Sequence, residues 1–298
     1  MDTMKKSLLI FILVLVLLAL GLSGCDEGYM PPVFEVTGPE FETVTFQNGD
    51  VTLAGTLDLP VGEGPFPAIV TTHGSPPLTR NDWYSLMVSN FFVQHGYAVL
   101  RYDKRGVGES TGEYPEVGTE NSEALNDLAE DALAGVQFLK NHALIDPNMI
   151  GVEGFSQGGW IAPLAASKSS DVAFSIAVSG PTSSVGQEIY YSELTEGGAS
   201  LGEASDMARD YAGPHGYVPE TALQNLEVPS LWLFGAQDDS IPVPLSIEIL
   251  ESFIGDQDKD FTYIVYPNGT HGMVDADTGA YHPFLLDSLT WLDEEFGN

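Results

Sequence analysis

The feature that most restricts how this chain can fold is Gly154-Phe155-Ser156-Gln157-Gly158-Gly159. Ahead of it, after a turn proline at Pro147, runs the β-prone stretch 148–153. Behind it, Trp160-Ile161-Ala162-Pro163-Leu164-Ala165-Ala166 reads as a helix. In a strand, Gly-x-Ser-x-Gly, helix context, the turn holds its serine in a strained backbone conformation at the carboxyl end of the strand, as a nucleophile elbow does. A side chain at Gly154 or Gly158 would strike the neighbouring strand or helix, so glycine is required at both. The helix that follows brings free N–H groups and the positive end of its dipole beneath the serine, where an oxyanion would form. The motif alone is also compatible with a small-residue loop. The flanking strand and helix favour the elbow.

The rest of the chain supplies a frame for such a turn. Residues 42–46 alternate in polarity, Gln47-Asn48-Gly49-Asp50 makes a turn, and 51–59 returns, which predicts a hairpin. Runs at 66–72, 97–101, 174–179, 230–235 and 261–266 read as further strands, the first two with the continuous apolar character of buried ones. Helical spacing occurs at 83–95, 122–141, 243–253 and 283–296. This alternation predicts an α/β domain over residues 41–298, a mostly parallel sheet covered by helices on both faces, with an antiparallel edge. The rhythm breaks at 181–228, rich in Glu, Gly, Ser and Tyr, with weakly amphipathic pieces at 187–194 and 203–211. We read this stretch as a small inserted cap over the site. At 43% hydrophobic residues in a chain of 298, a large core is available and global disorder is excluded.

A serine hydroxyl needs a base to take its proton. Three histidines lie downstream. His271 sits in Gly269-Thr270-His271-Gly272, just after the last expected strand, where an imidazole can reach the sheet's carboxyl edge. His215 falls in the expected cap and His282 at the start of the last helix, so His271 is the candidate base. The acid should follow the preceding strand, where Gly235-Ala236-Gln237-Asp238-Asp239-Ser240-Ile241-Pro242 offers two carboxylates. The register Gly-x-x-Asp-x-x-Ile-Pro favours Asp238, with Asp239 as the alternative. The two oxyanion donors are expected from Gln157 N–H and from the loop His73-Gly74-Ser75-Pro76-Pro77. Ser75 N–H is the candidate there, since the prolines have no N–H, and Gly74 lets the backbone approach. The early position of His73 argues for a structural role.

Taken together, His73-Gly74-Ser75, Arg101-Tyr102-Asp103-Lys104-Arg105-Gly106-x-Gly108-x-Ser110, Gly154-Phe155-Ser156-Gln157-Gly158-Gly159, Gly235-x-x-Asp238 and His271-Gly272 resemble the α/β-hydrolase superfamily in order and spacing. Within it the chain is similar to bacterial carboxylesterases and serine-aminopeptidase-like hydrolases with a small cap. The resemblance implies the α/β-hydrolase fold and a Ser156–Asp238–His271 triad. It leaves the substrate open, because this fold hosts many chemistries. Relatives often carry Glu after the serine, where this chain has Gln157. The expected activity is hydrolysis of small carboxylic esters through an acyl-serine. The alternatives are a peptidase or amidase acting on short peptides, and a catalytically inactive binding protein. The length leaves no room for a separate propeller-like domain, which disfavours a large oligopeptidase. Dehalogenase chemistry would need a carboxylate in place of Ser156.

Charge narrows the partners. With 10 Lys and Arg against 43 Asp and Glu, the net charge is −33, which excludes nucleic acid as a partner. Such acidity fits a protein of a high-salt habitat or an acidic extracytoplasmic one. Four of the few cations, Arg80, Arg101, Lys104 and Arg105, follow central strands. Pairing with Asp82, Asp103 and Glu109 is one reading. Recognition of a substrate anion, by Arg80 and Arg105 above all, is the other. No metal-ligand spacing and no dinucleotide fingerprint is present, so no cofactor is expected. At the amino end, Lys5 and Lys6 precede an apolar run at 8–20 and then Leu22-Ser23-Gly24-Cys25, which resembles a bacterial lipobox. That resemblance implies a signal peptide at 1–24, lipidation of the only cysteine, Cys25, and an extracytoplasmic protein anchored to the membrane through that lipid alone. The alternative is an uncleaved N-terminal anchor. The Gly- and Pro-rich stretch 25–40 reads as a tether.

Overall fold

The computed structural model describes residues 40–257 and 259–297. The expected leader, Cys25 and most of the tether lie outside the described residues. Eight strands form one sheet in the order β1-β2-β4-β3-β5-β6-β7-β8. They are β1 (Glu40–Asn48), β2 (Val51–Leu59), β3 (Phe66–Thr72), β4 (Ala98–Tyr102), β5 (Ile145–Phe155), β6 (Phe174–Val178), β7 (Ser230–Gly235) and β8 (Phe261–Tyr266). β1 and β2 form the expected hairpin, and β2 also runs antiparallel to β4. All other pairs are parallel. The result is the α/β-hydrolase fold anticipated from the sequence.

Side-chain alternation sorts the strands' apolar residues onto two faces. Val70, Leu100, Val152 and Trp232 face one core with helices α2 (Ala124–Lys140), α3 (Gly158–Lys168) and α7 (Val243–Gln257). Ile69, Val99, Ile176 and Leu231 face the other with α1 (Trp83–Gln94) and α8 (Phe284–Phe296). Because both faces are covered, these strands read as continuous apolar runs rather than alternating ones. β5 departs from expectation at its start. Ile145 already pairs with Phe66, and pairing resumes only at Ala68 with Ile150. The residues between hold the anticipated turn. Pro147 has no N–H to give the ladder, and Asn148 N–H bonds to Asp146 Oδ1 at 2.9 Å.

Between β6 and β7 the chain forms three helices, α4 (Val185–Glu196), α5 (Leu201–Arg209) and α6 (Glu220–Asn225). Ser184 and Ser200 start α4 and α5 with capping boxes to Gln187 and Glu203. Tyr191, Ala204 and Ala208 give this insertion a small core of its own. The carboxyl ends of the parallel strands β3, β5, β6, β7 and β8 lie along one edge of the sheet, and the loops leaving β3, β5, β7 and β8 build the site described next.

Candidate active site

Ser156 has φ 55°, the left-handed conformation that a strand-to-helix elbow imposes on its nucleophile. A Cβ at Gly154 would overlap Thr72 Oγ1 and Gly158 O, and one at Gly158 would lie 2.5 Å from Thr72 O. The glycines therefore let the elbow pack against the end of β3. His271 Nε2 stands 3.0 Å from Ser156 Oγ, and His271 Nδ1 is 2.8 Å from Asp238 Oδ2. The other oxygen of Asp238 accepts the N–H groups of Ser240, at 2.8 Å, and Ile241, at 3.0 Å. Asp238 is thus fixed before the imidazole binds it, whereas Asp239 is exposed. The histidine loop is pinned from the turn just after β6, where Ser179 Oγ–H donates to the His271 carbonyl at 2.7 Å. Burial pulls the His271 pKa down. The hydrogen bond to Asp238 and the charges of Asp238, Glu188 and Asp239 outweigh it, leaving a net rise.

The other histidines have structural surroundings. His73 is buried beside the Tyr102 ring. Burial and the neighbouring Lys104 push its pKa down to about 3, so it is neutral at ordinary pH. His282 stacks on Tyr266 with centroids 4.7 Å apart, and His215 Nδ1 meets Ser184 Oγ at 2.8 Å.

Ser75, Ser156 and Gln157 line one cavity of about 180 Å³. A Cβ at Gly74 would lie 3.4 Å from Ser156 Cβ, so this loop passes directly beside the serine. Neither Ser75 N–H nor Gln157 N–H has an internal acceptor among the described residues. Both are free to serve an oxyanion. Lys104 joins the two halves of this hole. Its ammonium donates to Gly74 O at 2.6 Å, Pro76 O at 3.2 Å and Gln157 Oε1 at 2.8 Å. Tyr114 OH reaches the same Gln157 oxygen at 3.2 Å. Burial, opposed in part by the charge of Asp82, brings the Lys104 pKa down to about 7.

This arrangement can carry acyl transfer: the nucleophile and two unspent N–H donors line one cavity, and the nucleophile is hydrogen-bonded to a base that an acid orients. A profile of the prolyl oligopeptidase family matches residues 83–298, which include Ser156, Asp238 and His271. The chain belongs to the prolyl oligopeptidase family. Among curated relatives, esterase EstD of Thermotoga maritima is 34% identical over 136 residues, covering 42% of this chain and 30% of EstD. Human dipeptidyl peptidase 8 is 26% identical over 282 residues, covering 90% of this chain and 30% of that protein. The chain thus spans about a third of the length of these relatives. Among solved structures, an esterase of Pyrococcus furiosus superposes with a TM-score of 0.65 at 19% identity, covering 91% of this chain and 95% of the esterase. An acylaminoacyl peptidase of Pyrococcus horikoshii gives 0.64 at 20% identity, covering 86% of this chain and 41% of the peptidase. These superpositions establish the fold.

The structure does not bring Arg80 and Arg105 to the cavity, and the reading of them as anion receptors is corrected here. Arg80 binds Asp103 at 2.7 Å and also Glu109. Arg105 binds Asp131 at 2.7 Å and Asp127 at 3.4 Å, and Arg101 binds Asp58 at 2.7 Å. Neither Arg80 nor Arg105 lines the cavity at Ser156. The guanidinium groups are held by carboxylates of the loop after β4, of α2 and of β2. Sequence reasoning missed three residues. Lys104 was noticed only as a cation. Tyr191, buried in α4, donates its OH to the Asp238 carbonyl at 2.8 Å and so ties the insertion to the acid loop. Glu188 lines the cavity with Val185 and Ile189. The i, i+3, i+4 spacing of those three was the available signal: a carboxylate on an otherwise apolar helical stripe. Among the described residues, no group of three or more His, Cys, Asp or Glu side chains is set to hold a metal ion.

Proposed function

We propose that this chain is a serine hydrolase, and within that class a carboxylesterase for small esters, acting through an acyl-Ser156 intermediate. The observation that carries the reading is the Ser156–His271–Asp238 hydrogen-bond chain opening into the cavity of about 180 Å³. His271 Nε2 takes the hydroxyl proton as Ser156 Oγ attacks the ester carbonyl. Asp238 holds the imidazole by Nδ1–H and stabilises the imidazolium. The N–H groups of Gln157 and Ser75 receive the oxyanion. The tetrahedral intermediate collapses, and His271 passes its proton to the departing alcohol. Water then repeats the sequence on the acyl-enzyme, and the acid leaves. The likeness to EstD supports an ester substrate.

The second reading, a peptidase or amidase on short peptides, is favoured by the relatives named as dipeptidyl peptidase 8 and acylamino-acid-releasing enzyme. Parallel assays with p-nitrophenyl esters of graded acyl length and with aminoacyl-nitroanilides separate the two. Ester hydrolysis should exceed anilide hydrolysis in kcat/KM by orders of magnitude. Equal or faster anilide hydrolysis would transfer the assignment to the peptidase.

A further inference from the structure

The charge of the cavity is set by one side chain. Its lining includes Glu188 together with Val117, Trp160, Val185, Ile189 and Ile241. Among the described residues, nothing donates a hydrogen bond to the Glu188 carboxylate, and no Lys or Arg pairs with it. Its charge is felt by His271, which attracts it, and by Asp238, which repels it. The arginines that might have balanced it are committed elsewhere, to Asp58, Asp103 and Asp131. The indole of Trp160 is fixed by its Nε1–H, which donates to the Ser183 carbonyl at 2.9 Å. A half-buried carboxylate beside apolar groups, with no donor from the protein, is open to pairing with a cation. An aromatic wall beside it suits the same partner, an organic cation. The net charge of −33 acts in the same sense, drawing cations toward the protein and repelling anions.

We propose that Glu188 and Trp160 form a cation subsite, and that the natural substrate of Ser156 is an ester bearing an organic ammonium group. This rests on the ester-hydrolase reading above and narrows it. Glu188 also sits in the first turn of α4, where any carboxylate favours the helix dipole. That role is satisfied by a side chain turned to solvent and does not require one in the cavity. Burial pushes the Glu188 pKa up to about 7, the charge of His271 opposing and that of Asp238 adding to the rise. The subsite is therefore neutral in mild acid and gains its negative charge as pH rises past neutrality. His271 titrates nearby, but it serves every ester alike and cancels from a ratio of two substrates.

The test compares permanently charged esters with neutral isosteres on the purified protein. One pair is butyrylcholine and its analogue with tert-butyl in place of trimethylammonium. The other is the p-nitrophenyl esters of an ω-trimethylammonio acid and of the ω-tert-butyl acid of equal chain length. In at least one pair, kcat/KM should favour the cation by about tenfold or more well above the Glu188 pKa, the scale of one carboxylate–cation contact partly removed from water. That ratio should shrink as pH falls below the Glu188 pKa, and in Glu188→Gln it should approach one at every pH. A purely dipolar role would lower stability in Glu188→Gln and leave the ratio unchanged. If that variant does not fold, the pH dependence of the wild-type ratio decides the matter. A flat ratio, or neutral isosteres preferred in both pairs, overturns the subsite. Wild type that turns over none of the four esters also overturns it. Labelling of Ser156 by a fluorophosphonate then tells whether the nucleophile assignment falls as well.

Discussion

The two oxygens of Asp238 have separate partners: one holds His271 Nδ1, the other holds the N–H groups of Ser240 and Ile241. An amide at this position would keep the shape but favour the wrong imidazole tautomer. Asp238→Asn should therefore lower kcat roughly a thousandfold or more. Asp239→Asn, altering an exposed side chain, should change it little. The reverse order in folded, purified variants would show that the acid is misassigned. Beneath the elbow, Glu153 is buried against Tyr84 OH and Thr71 Oγ1. Burial raises its pKa from the ordinary 4.5 to about 8, although both hydroxyl groups pull the other way. The folded state thus holds a proton that the unfolded chain releases. The stabilisation this gives is complete below pH 4.5 and is lost as pH climbs to about 8. Thermal melts from mild acid to mild alkali should show Tm falling through that window, and Glu153→Gln should flatten the fall. An unchanged slope in the variant would mean that Glu153 is ionised throughout.

At the scale of elements, the site is an assembly of loops that Lys104 and Tyr191 tie together. Lys104 binds the Gly74–Pro76 loop and the Gln157 side chain at once. Lys104→Met would take this donor from Gly74 O and Pro76 O, each a loss of about 1–3 kcal/mol before relaxation, and from Gln157 Oε1, which keeps Tyr114 OH. The variant should remain foldable but show kcat reduced about tenfold or more, with KM little changed, because the oxyanion donors lose their alignment. A fall confined to KM would argue that Lys104 serves binding instead. What the sequence made legible follows the same division. The buried strands announced themselves as apolar runs, and the elbow as glycines that nothing else can replace. Ser156, Asp238 and His271 could be named because each follows a strand within a short turn. Lys104 could not be placed, since its acceptors lie 28 to 53 residues away and the local sequence carries no trace of them. For Arg80 the sequence offered two readings, and the fold makes the pairing with Asp103 and Glu109. The partner of Arg105, Asp131 on α2, was not among the carboxylates named, because only the fold brings that helix to the loop. In the insertion, α6 was not anticipated, because its six residues are too short to establish a helical period.

For the whole molecule, charge imbalance is the dominant surface property. Of the eight Lys and Arg side chains among the described residues, seven pair with carboxylates, and Lys104 is bound by neutral oxygens. Most carboxylates of the described residues therefore lack a counter-charge, and their mutual repulsion opposes the compact state. Salt from ~0.1 to ~1 M shortens the Debye length from ~10 to ~3 Å, so Tm should rise over that range. An unchanged or lower Tm would mean that the seven ion pairs lose as much as the repulsion does. The same molecule-wide account rests on a single atom, Ser156 Oγ. Its most direct test is reaction of the purified protein with a fluorophosphonate, followed by peptide mapping and an ester assay on wild type and Ser156→Ala. The account predicts one phosphonyl adduct, on the peptide carrying Ser156, with both the adduct and ester turnover lost in Ser156→Ala. A Ser156→Ala protein that is labelled at full strength, or that hydrolyses esters like wild type, would contradict it.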